Sequence, residues 1–269
     1  MTQRPSFSKS ENRGHDSAPA KPRFLLSGHQ PVYLPGIILF NKIALSDAFM
    51  FVGHCQYVKK SWHSRNRIRL GDRELWLSLP VRTAGAFDQP INETFLLDGN
   101  WKRKHLGSIR QAYGKMPFFD MYFPGLQAQI LAPSATLSDL NVALIKLFLK
   151  WLRIDTPVLD SRDYVVKGAK TEMLISMCEA VGATGYLSNE GSRAYVDERQ
   201  MAEAGIRHVW QGFTHPIYSQ PGPFMPNLSI IDLLFNVGQN SRDVVLWSGH
   251  IRDGEFSAAE EESRATSPQ

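Results

Sequence analysis

Arg23-Phe24-Leu25-Leu26-Ser27-Gly28-His29-Gln30-Pro31-Val32-Tyr33-Leu34-Pro35-Gly36 opens the structured part of this chain, followed by Ile37 to Leu45 and Ala48 to Val52. The first residues are a short apolar run, Ile37 to Leu45 has helical periodicity, and Ala48 to Val52 is a second apolar run. The stretch therefore reads as strand, polar turn, helix, strand, closing on a basic loop from Gln56 to Arg69. Pro31 and Pro35 fix φ and remove two backbone donors, so the turn is stiff. It lies at the carboxyl end of the first strand, where open α/β sheets bind ligands. A helix beginning near Gly36 aims its N-terminal N–H groups at the same place, which favours an anion.

Downstream, the pattern settles the fold class. Leu137 to Arg153 is a helix, Thr156 to Leu159 a strand, and Ala169 to Val181 a helix ended by Gly182. Thr184 to Leu187 is a strand, Asp197 to Ala204 a helix, Ile206 to Trp210 a strand, and Ser229 to Asn236 a final helix. Alternation with short connections predicts an α/β fold, a mainly parallel Rossmann-like sheet with helices on both faces. Between the halves, Glu74 to Val81 is expected to be a mostly buried strand, Thr83 to Pro90 a loop with Gly85, Ile91 to Leu97 a strand, and Trp101 to Tyr113 a helix. Residues 83–135 are expected as an insertion in a single domain spanning 23–253. Residues 1–22 and 254–269 are too polar to offset the entropy of ordering and are expected to be disordered tails.

The 269 residues carry a formal net charge of +4 and are 43% apolar, ordinary for a globular domain. So mild a positive balance does not demand nucleic acid and suits small anionic ligands such as nucleotides, nucleotide sugars or acyl donors. Cys55 and Cys178 are far apart, with no Cys-x-x-Cys spacing, so neither a thiolate zinc site nor a disulfide framework is expected. No apolar run reaches the length of a membrane span, and residues 1–22 lack an apolar signal core, so a cytoplasmic protein is expected. No metal is predicted, because no His-x-x-x-His or clustered carboxylates occur. Gly-x-Ser-x-Gly and GxGxxG motifs are also missing.

Three polar side chains on the stiff turn, His29, Gln30 and Tyr33, are the candidate catalytic residues. The ordinary histidine pKa suits a general base or a phosphate ligand. Lys59, Arg65, Asn66 and Arg67 are candidate substrate ligands, because arginine forks bind phosphate or carboxylate. In a strand, Asn66 points away from both arginines. Ser188, Glu190 and Arg193 belong to a polar, Gly-containing loop after a strand, and two such loops on neighbouring strands would wall one cleft. His29 could instead merely pin its turn, and the second loop could be a plain connection. Asp47 reads as structural.

The runs "HQPVYLP" (29–35), "NKIALSDAFMFV" (41–52), "QYVKKSW" (56–62), "RNRIR" (65–69), "YLSNEGSRAYVDE" (186–198) and "LSIIDLLFNVG" (228–238) together resemble the WbqC-like protein family. Residues 24–240 carry the resemblance. It departs at Gly36, where the family has Trp, and at Ile38, where it has Gly. Gly53 and His54 stand for an acidic pair, Ser64 for Asn and Asn189 for Gly. The family's genes lie mostly among those for bacterial surface polysaccharide and natural-product assembly. The resemblance therefore implies a transferase of glycan or specialised-metabolite biosynthesis. The reaction expected is transfer of an acyl or aminoacyl group from an activated anionic donor, on a small molecule, carrier protein or tRNA, to an amine of a sugar or small molecule. One alternative is nucleotidylyl transfer at a reduced HxGH-like site, which would require Mg²⁺. Another is a non-catalytic nucleotide- or sugar-binding partner protein, favoured by loss of the acidic pair.

Overall fold

The computed structural model describes residues 24–83 and 88–254. The expected tails at 1–22 and 255–269, Arg23 and Gly85 lie outside the described residues. Gly254 is described, and it is buried.

Six strands form the main sheet: β1 (Leu25–His29), β2 (Ala48–Phe51), β5 (Val158–Asp160), β6 (Gly185–Ser188), β7 (Arg207–Phe213) and β8 (Gly249–Asp253). Their order is β5-β2-β1-β6-β7-β8. All neighbours are parallel except β7 and β8. The helices are α1 (Ile37–Leu45), α2 (Trp101–Tyr113), α3 (Phe119–Leu131), α4 (Leu137–Leu152), α5 (Lys170–Val181), α6 (Glu198–Glu203), α7 (Ile230–Val237) and α8 (Ser241–Trp247). The fold is the Rossmann-like α/β arrangement that the helix–strand alternation predicts. Strand alternation sorts the core onto two faces. Phe49 and Phe51 join Phe40, Phe148 and Phe235 in the larger cluster with α1, α4 and α7. Leu26, Met50 and Tyr186 pack with Met177 and Met201 of α5 and α6 on the other face. Among the described residues no helix is long and apolar enough to cross a membrane.

Local chemistry explains several boundaries. Thr136 and Asp139 form a reciprocal capping box at the start of α4. Gly182 ends α5 at φ 68°, and Ser229 caps α7.

The segment before α4 departs most from expectation. Gln56 to Arg69 is not all loop, because Arg65–Leu70 is strand β3, paired antiparallel with β4 (Arg73–Ser78) in a separate hairpin. Glu74 to Val81 is not a mostly buried strand, since in β4 Leu77 is the single buried residue. Ile91 to Leu97 is a 3₁₀ turn at Ile91–Glu93 with two isolated bridges, not a strand. Met116 to Tyr122 leads into α3, a helix that accommodates Pro124. α8 and the polar strand β8 give no apolar pattern in sequence.

The turn after β1 is tied down by distant elements. Asn141 Nδ2 of α4 donates to Pro31 O (3.2 Å) and His63 O (2.8 Å). Asn66 Nδ2 of β3 donates to Tyr33 O (3.2 Å) and Leu34 O (2.7 Å), and Ile230 N of α7 donates to Pro35 O (2.7 Å). Leu34 sits at φ 43°, a left-handed conformation that a leucine holds only under such restraint. Replacing Asn141 with alanine strands two buried carbonyls, and the expected loss is about 1–3 kcal/mol in the urea-unfolding free energy. A loss below about 0.5 kcal/mol, within the range of an ordinary surface change, would show that the turn is held by other means.

Candidate functional site

β1 leads through α1 to β2 on one side, whereas β5 leads through α5 across to β6 and through α6 to β7. The direction of winding therefore changes between β1 and β6, and ligands of open α/β sheets bind at such a switch point. A cavity of about 360 Å³ lies there, walled by His29 and Gln30 at the end of β1 and by Ser188, Asn189 and Ser192 at and beyond the end of β6. Lys42, Cys55, Tyr186 and Tyr195 complete it. A second cavity, about 440 Å³, lies at the start of α1 and is lined by Gly36, Ile38, Trp62, Arg67 and His215. His29 is the residue common to both linings.

Backbone geometry fixes the state of His29. Its Nδ1–H donates to Gln30 O at 2.8 Å, so Nε2 carries the free lone pair. Burial first, then the nearby Lys42 charge, lowers its pKa to about 4, keeping the ring neutral. Val58 N donates to His63 Nδ1 (3.4 Å), which assigns the His63 proton to Nε2, and that nitrogen donates to Gln30 Oε1 at 2.7 Å. Burial raises the Cys55 thiol, opposed by a hydrogen bond with Gln30. Lys42 reaches from α1 to Gly28 O at 2.9 Å, and burial lowers its pKa to about 7. Gly28 is needed here because a Cβ would meet Met177 Cε at 2.6 Å and Tyr186 Oη at 3.2 Å. On the far wall, Ser188 Oγ is 2.8 Å from His208 Nε2, and His208 Nδ1 is 3.8 Å from Glu198 Oε1.

The structure brings together some of the residues named from sequence and separates others. His29, Gln30 and Ser188 share the first cavity. Tyr33 lines neither cavity. It is fully buried, its hydroxyl donates to His105 Nδ1 (2.9 Å), and burial raises its pKa. Asn66 borders the second cavity, but both its amide hydrogens serve the turn. Arg67 also borders it, held by Glu74 (2.8 Å) and by Asn227 O (3.2 Å). Arg65 lies on the Trp76 ring, 4.5 Å from its centroid, and Trp76 stands 5.5 Å from Trp62. Lys59 is exposed and lines neither cavity. Glu190 pairs with Arg193 and Arg252, and Arg193 also lies 4.3 Å from the centroid of Trp210. Glu190 and Arg193 sit outside both cavities. Asp47 accepts from Leu25 N at 2.8 Å, a structural role. His54, at the site of the family's acidic pair, bonds Ser161 Oγ at 2.9 Å.

The sequence profile of the WbqC-like protein family matches residues 30–244. The chain belongs to the WbqC-like protein family. It is 36% identical over 217 residues to the uncharacterized protein Rv1507c of Mycobacterium tuberculosis, an alignment covering 80% of this chain and 94% of that protein. No solved structure matches the chain. The profile match begins at Gln30 and runs past β7, so it takes in both loops that wall the first cavity of this WbqC-like chain.

Two polar residues, Lys42 in the lining of that cavity and His208 behind Ser188, were not among the candidate site residues. Lys42 stands inside a mostly apolar helix, Ile37-Ile38-Leu39-Phe40-Asn41-Lys42-Ile43, where Asn41 is the other polar residue, and a charged residue on such a stripe was the signal available. His208 gave a weaker one, a single histidine in a buried strand. Lys42 yields a pH test. Its folded pKa of about 7 lies below the unfolded value near 10.4, so between those values the unfolded chain holds the extra proton. The lysine therefore penalises folding fully below pH 7, and the penalty is relieved as pH rises toward 10. Wild type should gain stability relative to Lys42→Met between pH 7 and 9 by up to about 1.4 kcal/mol per pH unit, read from urea midpoints. A difference that stays constant with pH would show that Lys42 keeps its charge when buried.

Proposed function

We propose that this protein is a transferase that moves an acyl or aminoacyl group from an activated donor to an amine of a sugar or small molecule, with His29 between the two substrates. What carries the reading is the position of His29 on the wall shared by two cavities of unlike character. The switch-point cavity is polar, with Lys42, Tyr186 and Ser188, and suits the reacting end of the donor. The other has buried Val32, Ile37 and Leu39 and exposed Ile38 in its lining, and it opens beside the paired Trp62 and Trp76 rings with Arg65 and Arg67 stacked on them. Exposed tryptophans with arginines beside them suit a nucleotide-linked amino sugar, whose base stacks and whose phosphates meet cations.

A neutral His29 with Nδ1–H held by a carbonyl presents Nε2 as a base. It takes a proton from the acceptor amine at the junction, next to the donor carbonyl. Because both substrates are held, the reaction gains from proximity as well as from proton transfer.

Acyl-CoA and aminoacyl donors incubated with amino-sugar nucleotides, and read by mass spectrometry, should give an amide product. His29→Ala should lower its rate by about 10²–10⁴-fold while substrate-induced thermal shifts persist. In the wild type, kcat/KM should rise as pH passes upward through the His29 pKa of about 4. Pyrophosphate release from a nucleoside triphosphate with Mg²⁺, and no amide, would instead establish nucleotidylyl transfer.

A further inference from the structure

Ser188, His208 and Glu198 follow one another on the α5 and α6 side of the sheet, with His208 between the other two. Register places them there: β6 and β7 run parallel with Tyr186 opposite His208 and Ser188 opposite Trp210, so Tyr186, Ser188, His208 and Trp210 share a face. Glu198 is the first residue of α6, which packs on β7. Its Oε1 accepts the Trp210 indole N–H at 2.5 Å and lies 3.8 Å from His208 Nδ1. That distance is too long for a hydrogen bond, and His208 Nδ1 is a buried nitrogen without a hydrogen-bond partner.

The tautomer decides what this row does. A histidine serving only to satisfy Ser188 would donate Nε2–H to Oγ and turn a bare Nδ1 lone pair toward a carboxylate. The carboxylate disfavours that form and favours a proton on Nδ1. His208 Nε2 is then an acceptor, and the Ser188 hydroxyl donates to it at 2.8 Å. A serine hydroxyl aimed at a neutral imidazole, with a carboxylate behind, is the arrangement that activates a nucleophile. Ser188 lines the switch-point cavity, and so does Lys42, whose ammonium form offers a positive charge to an oxyanion formed there.

We infer that Ser188 is a nucleophile that carries the acyl group covalently, activated by His208 with Glu198 as its positioning residue. This deepens the acyl-transfer reading and rests on it for the nature of the group. In the first half-reaction, Ser188 Oγ bonds to the carbonyl carbon of a thioester, activated ester or acyl phosphate, and its proton passes to His208 Nε2. The tetrahedral oxyanion collapses, the bond to the leaving group breaks, and that group departs with the proton from His208. In the second, His29 Nε2 removes the proton that the acceptor carries as an ammonium ion and passes it to solvent. The amine nitrogen then bonds to the ester carbon. Its remaining surplus proton goes through His208 Nε2 to Ser188 Oγ as the ester C–O bond breaks. Nothing is oxidised or reduced, and the enzyme returns to its starting state.

The test uses the full chain and an alkyl fluorophosphonate probe, which phosphonylates activated serines with loss of fluoride and needs neither donor nor acceptor. Expected are one adduct by intact mass and a modified peptide at Ser188, absent in Ser188→Ala. His208→Ala should slow labelling by about 100-fold or more. Glu198→Gln keeps an acceptor for Trp210, and it should slow labelling and displace its pH profile, which a packing role would not do. Circular dichroism melts show which variants fold. If His208→Ala does not, Glu198→Gln and wild type carry the test. A folded wild type that takes no label, or takes it on Cys55 or Tyr195, overturns the inference, as does undiminished labelling in folded His208→Ala. Amide formation that survives in Ser188→Ala overturns it too, while leaving the transferase reading intact. Labelling at Ser188 with no transfer to any amine supports the relay and fails the transferase reading.

Discussion

Two prolines leave the turn after β1 short of N–H donors, so its carbonyls must be satisfied by groups brought from far along the chain. Asn141, Asn66 and the backbone of Ile230 supply them, from α4, the β3–β4 hairpin and α7 respectively. Tyr33 N closes the set by donating to Trp62 O at 3.0 Å. A buried amide or carbonyl left without a partner costs enough to matter against a small net stability, so these bonds fix where the three elements sit. The rigidity of the His29 shelf, the entry to α1 and the position of Trp62 beside the second cavity are all consequences of the same requirement.

Burial sets the electrostatic character of His29, Lys42, His63 and His208, opposed by a nearby carboxylate only at His208, where Glu198 faces the ring. His29, His63 and His208 are each pushed down to about 4, and Lys42 to about 7, chiefly by desolvation. Near neutral pH the histidines are lone-pair donors, and Lys42 is poised between ammonium and amine. Groups in these states can accept protons, and perturbed titration of this kind clusters at functional sites.

Much of this was legible in the chain. The alternation after Leu137 gives β5 to β7 with their helices, because the apolar spacing and the Gly182 stop agree with one another. The two polar loops that wall the switch-point cavity follow from the same alternation, since parallel order puts their strands' carboxyl ends together. Three things were hidden. Tyr33 looked like a cleft residue because it shares the stiff turn with His29 and Gln30, yet its ring is fully buried in the core, next to the left-handed Leu34. The β3–β4 hairpin stands apart from the main sheet, so its pattern mixes exposed and buried residues without a clean period. Lys42 and His208 are polar residues in largely apolar elements, beside Asn41 and Arg207, and whether such a residue meets a cavity depends on tertiary packing that no local pattern encodes.

The edges of the sheet bear on how this protein behaves at high concentration. One margin is β5, three residues long, and the other is β8, Gly-His-Ile-Arg-Asp, which carries His250, Arg252 and Asp253. A short strand offers few unpaired groups to a foreign strand, and charged side chains disfavour docking of an apolar one. β8 also runs against its neighbour's direction, shielding the parallel strand β7 and its apolar residues from strand addition. The polarity that made β8 hard to recognise in sequence thus protects the chain from edge-to-edge aggregation.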